Sequence, residues 1–223
     1  MIREYAFSRC TALKSIDIPN SVTIIGTGAF WGCSALQSIE MPNRVTTIEK
    51  WTFYGCSSLK SIDIPKNVTV IGEKAFSGCS SLQNIDIPNS VTTIEEGAFW
   101  GCDKLQSIAI PDSVTTIGFG AFWGCSSLQS ITIPDSVTAI GNKAFMGCKS
   151  LQRIDVSEDN MQFTSINGTL FNKEKTKIIK RPQKSQLKEN KNNQETKWIT
   201  IRVNPNPLVD FSGDDLSLDP RFW

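Results

Sequence analysis

The chain has 223 residues, 39% of them hydrophobic, with 23 basic and 22 acidic side chains and a formal charge of +1. That size and composition suit a folded core, and the balance excludes the electrostatic footprint of a nucleic-acid binder or a polybasic membrane protein. There is no histidine, which removes the commonest general acid-base group near neutral pH and the commonest metal ligand.

No apolar run is long enough to span a bilayer, and the opening Met1-Ile2-Arg3-Glu4-Tyr5 has no signal-like apolar stretch. The charge is unevenly spread. Residues 1–171 hold 12 basic and 15 acidic side chains, 172–197 nine and three, and 198–223 two and four.

Repetition dominates from the start. Cysteines stand at 10, 33, 56, 79, 102, 125 and 148, a constant step of 23 residues. The same step links Phe7 to Phe145 and Leu13 to Leu151 without insertion or deletion. The unit reads A-F-x-G-C-x-x-L-x-S-I-x-I-P-x-S-V-T-x-I-G-x-x. A period of this length means stacked turns of a solenoid, each too small to bury its own core and stable only against its neighbours.

Within the unit, L-x-S-I-x-I-P alternates apolar and polar residues, so Ile16 and Ile18 face inward from a short strand that proline ends. Asn20, Asn43, Asn89, Asp112 and Asp135 then suit a tight turn. Val22 and Ile25 in V-T-x-I and Ala29, Phe30 and Cys33 in A-F-x-G-C fit short helical or 3₁₀ turns, with extended structure at V-T-x-I the alternative. The expected fold is a leucine-rich-repeat-like, right-handed β/α superhelix with a parallel ladder between turns.

These residues resemble the BspA-type leucine-rich repeats, whose unit is similar to A-F-x-x-C-x-x-L-x-x-I-x-I-P-x-x-V-x-x-I-G, over about three quarters of the chain. The stretch Phe163 to Lys173 with Thr176 to Ile179 resembles the longer, hairpin-like unit that interrupts such arrays. The resemblance implies a secreted or surface-displayed protein that adheres to host proteins or other cells. The start inside a repeat at Ala6-Phe7 is read as a truncated array.

The division expected is seven turns over 1–156, a hairpin-like terminal unit over 157–182, a polar lysine-rich linker over 183–197, and a strand with a tail over 198–223. In the last segment Trp198 to Val203 alternates as a strand before Asn204-Pro205. The linker's polar composition cannot form a core.

Three columns carry the functional expectations. The cysteines are too evenly dispersed for a zinc site, and stacked parallel side chains hold them apart from disulfide geometry, so they read as buried free thiols. No metal, cofactor or catalytic residue is expected. The position after each phenylalanine gives a row rich in aromatics, Trp31, Tyr54, Trp100 and Trp123. Such a row either stacks on sugars or anchors a protein, or it lies partly buried across the gap between turns.

The outward strand positions give an acidic column, Asp17, Glu40, Asp63 and Asp86, beside Lys14 and Lys60. On a concave face these residues suit a basic stretch of a partner protein or, weakly, calcium, unless they are simply solvated. No nucleophile-base constellation or phosphate-binding motif is present. The expected role is a non-catalytic binding or adhesion scaffold for a host or cell-surface protein, with glycan binding or a structural spacer as alternatives.

Overall fold

A computed structural model describes residues 1–182. The linker expected over 183–197 and the strand and tail over 198–223 lie outside the described residues.

The architecture is a β-solenoid. Five two-residue strands, β1 (Thr47–Ile48), β2 (Val70–Ile71), β3 (Thr93–Ile94), β4 (Thr116–Ile117) and β6 (Ala139–Ile140), form one parallel sheet in the order β1-β2-β3-β4-β6. Thr47 pairs with Val70 and Ile48 with Ile71, and each later pair steps on in the same register. The V-T-x-I segment is therefore extended, the second of the two readings its sequence allowed.

The strand expected in L-x-S-I-x-I-P is paired as a ladder only between β5 (Ser130–Ile133) and β7 (Arg153–Val156), with one further bridge joining Asp63 and Asp86. Elsewhere on this face successive turns are held by single links such as Gln37 N–H to the Lys14 carbonyl at 2.9 Å. Clefts of about 290 and 440 Å³ open between turns there. The alternation of burial survives nonetheless: Ile62 and Ile64 are buried while Ser61 and Asp63 are exposed.

The helical part of the expected β/α fold is corrected: the described residues contain no helix. The reason lies in the backbone of A-F-x-G-C. Each turn carries two left-handed residues four apart. The first falls at Tyr5, Gly28, Trp51, Lys74, Gly97, Gly120 and Lys143, and the second at Arg9 and then Gly32, Gly55, Gly78, Gly101, Gly124 and Gly147. A right-handed helix cannot pass through either. The glycine before each of the last six cysteines thus supplies a positive φ, which for most side chains costs about 1–2 kcal/mol.

Inside, the phenylalanines form a continuous spine. From Phe7 to Phe145 each ring stacks on the next at 5.3–5.7 Å with interplanar angles of 1–10°. Alanine, cysteine, leucine, valine and isoleucine columns pack around it. The proline that ends each inward pair opens a tight turn, as in the 3.1 Å bond from Val45 N–H to the Pro42 carbonyl.

After the last turn come β8 (Phe163–Ile166), β9 (Thr169–Asn172) and β10 (Ile178–Lys180), an antiparallel sheet in the order β10-β9-β8. The β8–β9 connection is Asn167-Gly168 with φ of 51° and 76°, the two-residue turn that Asn-Gly favours. Asn160, fully buried, ties this unit to the solenoid. Its Nδ2 donates to the Pro134 and Val137 carbonyls at 2.7 and 3.0 Å, and its Oδ1 accepts from the N–H groups of Gln162 and Phe163.

Candidate functional site

The acidic column follows from the burial alternation of S-I-x-I. Asp17, Glu40, Asp63 and Asp86 are all exposed, one per successive turn, and Lys14 and Lys60 are exposed three positions before Asp17 and Asp63. The Lys14 and Lys60 backbones are linked through Gln37, whose carbonyl accepts from Lys60 N–H at 3.2 Å. The same position becomes Ala109 and Thr132 and then Asp155, which Arg153 neutralises at 2.6 Å. Among the described residues none of the four earlier carboxylates joins an ion pair. Glu40 and Asp63 border a groove of about 630 Å³ together with Ile18, Met41 and Ile64. Lys66 lines the same groove, which thus sets two carboxylates and one ammonium beside apolar residues.

The aromatic column divides in two, because Ser77 stands in it and is buried. On one side Trp31 sits edge-on between Tyr5 and Tyr54 at 6.0 and 6.1 Å, with the Arg9 guanidinium 5.3 Å above its ring. On the other, Trp100 and Trp123 stack at 4.8 Å and 9°, Phe119 meets Trp123 edge-on, and the Lys143 ammonium lies 5.4 Å from the Trp123 ring. Tyr54 and Trp100 are 38% and 37% exposed, while Trp31 and Trp123 are half-buried. The one face-to-face pair in this column is thus Trp100 with Trp123, and cations lie over Trp31 and Trp123.

Sequence reasoning missed Phe119 and Arg9 as members of this surface. Phe119 sits in the loosely patterned residues just after V-T-x-I. Arg9 occupies a position that is glycine in the other six turns.

The cysteine column is chemically quiet. All seven thiols are free, and all but Cys10 are buried. Each Sγ from Cys33 to Cys148 donates to the carbonyl of the phenylalanine in the preceding turn, at 3.0–3.2 Å. That carbonyl also accepts the N–H of its own turn's cysteine, as Cys56 N–H does to Phe53 at 3.1 Å. Burial pushes the Cys33 and Cys148 thiols up to about 11 and those between them higher, so they are poor nucleophiles and poor metal ligands. No group of three or more acidic, cysteine or histidine side chains placed to hold a metal ion exists among the described residues.

One charged cluster lies outside these columns. Glu73 accepts from Lys50 Nζ at 2.5 Å and Lys74 Nζ at 3.3 Å, and Lys74 also reaches Glu96 at 3.7 Å. Partial burial raises the Glu73 carboxyl, but the two lysine hydrogen bonds outweigh it and hold the group below the usual range.

A family model for the BspA-type leucine-rich repeat region, in six copies, matches residues 1–127 and 92–205. The chain belongs to the BspA-type leucine-rich repeat family. No curated protein matches it. Among solved structures, this BspA-type chain is similar to a leucine-rich repeat protein of T. pallidum, at 34% identity and a TM-score of 0.52 over 52% of this chain and 57% of that one. It is also similar to a leucine-rich cell surface protein of Faecalibacterium prausnitzii, at 31% and 0.56 over 76% and 55%. A third likeness is a leucine-rich repeat protein of Eubacterium ventriosum, at 27% and 0.60 over 67% and 39%. The chain thus spans 39–57% of the length of these relatives. Membership of this family points to a non-enzymatic scaffold or binding role. No helix of the described residues is long and apolar enough to cross a membrane.

Proposed function

We propose that this protein is a non-catalytic adhesion scaffold at the cell surface, which uses the acidic column Asp17, Glu40, Asp63 and Asp86 to hold a basic segment of a host or cell-surface protein. The observation that carries the reading is that four exposed carboxylates stand in successive turns without an ion-pair partner among the described residues. Like charges about 4 Å apart repel by roughly 1 kcal/mol in a water-like dielectric. A basic partner relieves that repulsion, and steering by such a patch raises association rates. Lys14 and Lys60 border the column and set the register of the partner's charges.

Two further observations support a scaffold over an enzyme. The chain has no histidine, and its buried thiols are held protonated. The surface location rests on the printed description of the F. prausnitzii relative as a cell surface protein. Glycan binding through Trp31, Tyr54, Trp100 and Trp123 is the weaker reading, since Trp100 and Trp123 cover each other and cations sit over Trp31 and Trp123.

The test is titration of the full chain with host matrix proteins and with oligosaccharides, comparing wild type with Asp63→Lys/Asp86→Lys. The expected result is saturable, salt-sensitive binding of a basic protein that the double variant loses while its melting curve is unchanged. Binding indifferent to the double variant, or sugar binding that shields the tryptophans from acrylamide, overturns it.

A further inference from the structure

In each of the first six turns, three alternate N–H groups of A-F-x-G-C bond to carbonyls of the next turn. Lys74, Phe76 and Gly78 donate to Glu96, Ala98 and Trp100 at 2.7–2.8 Å, and Gly120, Phe122 and Gly124 donate to Asn142, Ala144 and Met146 at 2.8–3.0 Å. The seventh turn keeps the same backbone, with Lys143 at φ 58° and Gly147 at φ 71°. Yet among the described residues no backbone carbonyl meets the N–H of Lys143, Phe145 or Gly147. The segment that follows does not supply the missing acceptors, because β8 to β10 pair antiparallel with one another and, among the described residues, the backbone link from the solenoid to that sheet runs from Ile154 N–H to the Gly168 carbonyl.

Beside this row of donors lies a cavity of about 510 Å³, whose other wall is Asn172 and Lys177 to Lys180. Ile140, Phe145, Phe163 and Ile179 give it apolar lining, and Ile178 is 46% exposed at its edge. The charged residues that line it are Lys143, Lys177 and Lys180, with no carboxylate. Lys143 and Phe145 line this space, and unbonded peptide N–H groups beside a partly apolar space are costly, so an occupant that supplies oxygens there gains by it.

We propose that this cavity binds an acidic segment of a partner protein, whose alternate backbone carbonyls accept the Lys143, Phe145 and Gly147 N–H groups and whose carboxylates pair with Lys177 and Lys180. The spacing selects the ligand class. Donors two residues apart in this turn backbone match alternate carbonyls of a segment that takes the same turn backbone, as Glu96, Ala98 and Trp100 do for Lys74, Phe76 and Gly78, and a phosphate or a lone carboxylate cannot span them. The site is opposite in charge to the acidic column and independent of it.

The test uses the full chain and a synthetic peptide with the sequence of residues 92–106, carrying C102S. This segment presents the Glu96, Ala98 and Trp100 carbonyls to a preceding turn and bears Glu95, Glu96 and Asp103. In the protein alone, the amides of Lys143, Phe145 and Gly147 are expected to exchange with deuterium at least about tenfold faster than those of Gly120, Phe122 and Gly124. Adding the peptide slows them and shifts amide resonances of residues 139–148 and 172–180, while a scrambled peptide does not. Lys177→Glu combined with Lys143→Gly, which places at 143 the residue found at Gly97 and Gly120, weakens binding about tenfold without lowering the melting temperature. Equal protection of the two amide sets in the free protein shows the donors already engaged and overturns the proposal. So does binding that the scrambled peptide matches or that the double variant leaves intact.

Discussion

The phenylalanine spine and the column one residue along from it differ by a single position in the unit and behave as opposites. The spine is phenylalanine in all seven turns, and six of the seven rings, from Phe30 to Phe145, are buried. The next column runs Ser8, Trp31, Tyr54, Ser77, Trp100, Trp123 and Met146, with exposures from 6% at Ser77 to 46% at Met146. A strict period is therefore a property of the inward positions, where each side chain is the packing surface of its neighbours. Outward positions meet solvent on one side and can vary without a gap opening in the stack.

The comparison breaks most readily at Phe76. Truncation to alanine removes a ring stacked on both sides, and about 3–5 kcal/mol of stability should go with it in a urea melt. Trp100→Ala, one stack partner at a half-exposed site, should cost about 1 kcal/mol. Equal losses for the two would dissolve the distinction between the columns.

The cysteines sharpen the inward side. Cys79→Ala deletes a buried sulfur and its hydrogen bond to the Phe53 carbonyl, at an expected cost of about 1–2 kcal/mol. In the native protein a thiol reagent should modify Cys10 alone and reach the other six only on unfolding. A thiol whose folded pKa is raised favours the folded state below its unfolded pKa and loses that contribution as pH rises. Stability should therefore fall as pH climbs from about 9 through about 11, the interval over which Cys33 and Cys148 ionise later when folded than when unfolded. A flat stability curve over that range would show the column ionising as it does in the unfolded chain.

On the outward side, Lys74 holds φ at 51° where three other turns have glycine. Lys74→Gly relieves strain of about 1 kcal/mol and forfeits two half-exposed ion pairs to Glu73 and Glu96, each worth a few tenths. A net gain of roughly 0.5 kcal/mol is expected in the same melt. A loss would mean that the ion-pair network centred on Glu73 contributes more than its exposure suggests.

How much of this was legible in the sequence divides along the same line. The Phe, Cys, Leu and Ile columns could be read because each is one residue type recurring at one spacing. The left-handed backbone could not, since its first position carries Tyr5, Trp51, Lys74 and Lys143 as well as glycine, and the recurrent glycine before cysteine reads equally well as a small packing residue. Which of the two extended segments carries the main ladder was not legible for a related reason. Alternation in S-I-x-I encodes which side chains are buried, and Ile39 and Met41 are, but it says nothing about whether backbones come close enough to pair. Asn160 gave no signal because one polar residue among Ser157, Glu158 and Asp159 looks like loop, and only the carbonyls it meets, 23 and 26 residues back, give it a role. Of the candidate sites, membership of the acidic and aromatic columns was readable, whereas the stacking of Trp100 on Trp123 depends on side-chain orientation.

The smallest effect is the most discriminating. Asp63 is exposed, its backbone bridges to Asp86 in the next turn, and no cation neutralises it among the described residues. Asp63→Ala removes no packing and deletes one member of a like-charged column, so unfolding free energy should change by less than about 0.5 kcal/mol, with any change at low salt a gain. Raising the salt to about 1 M, where screening acts within about 3 Å, should erase even that gain. A stabilisation that persists in high salt would indicate a desolvated carboxylate, and a clear destabilisation would mean that Asp63 makes a contact of its own. If stability is unmoved while binding of a basic partner weakens, the carboxylate serves recognition and contributes nothing to the stack.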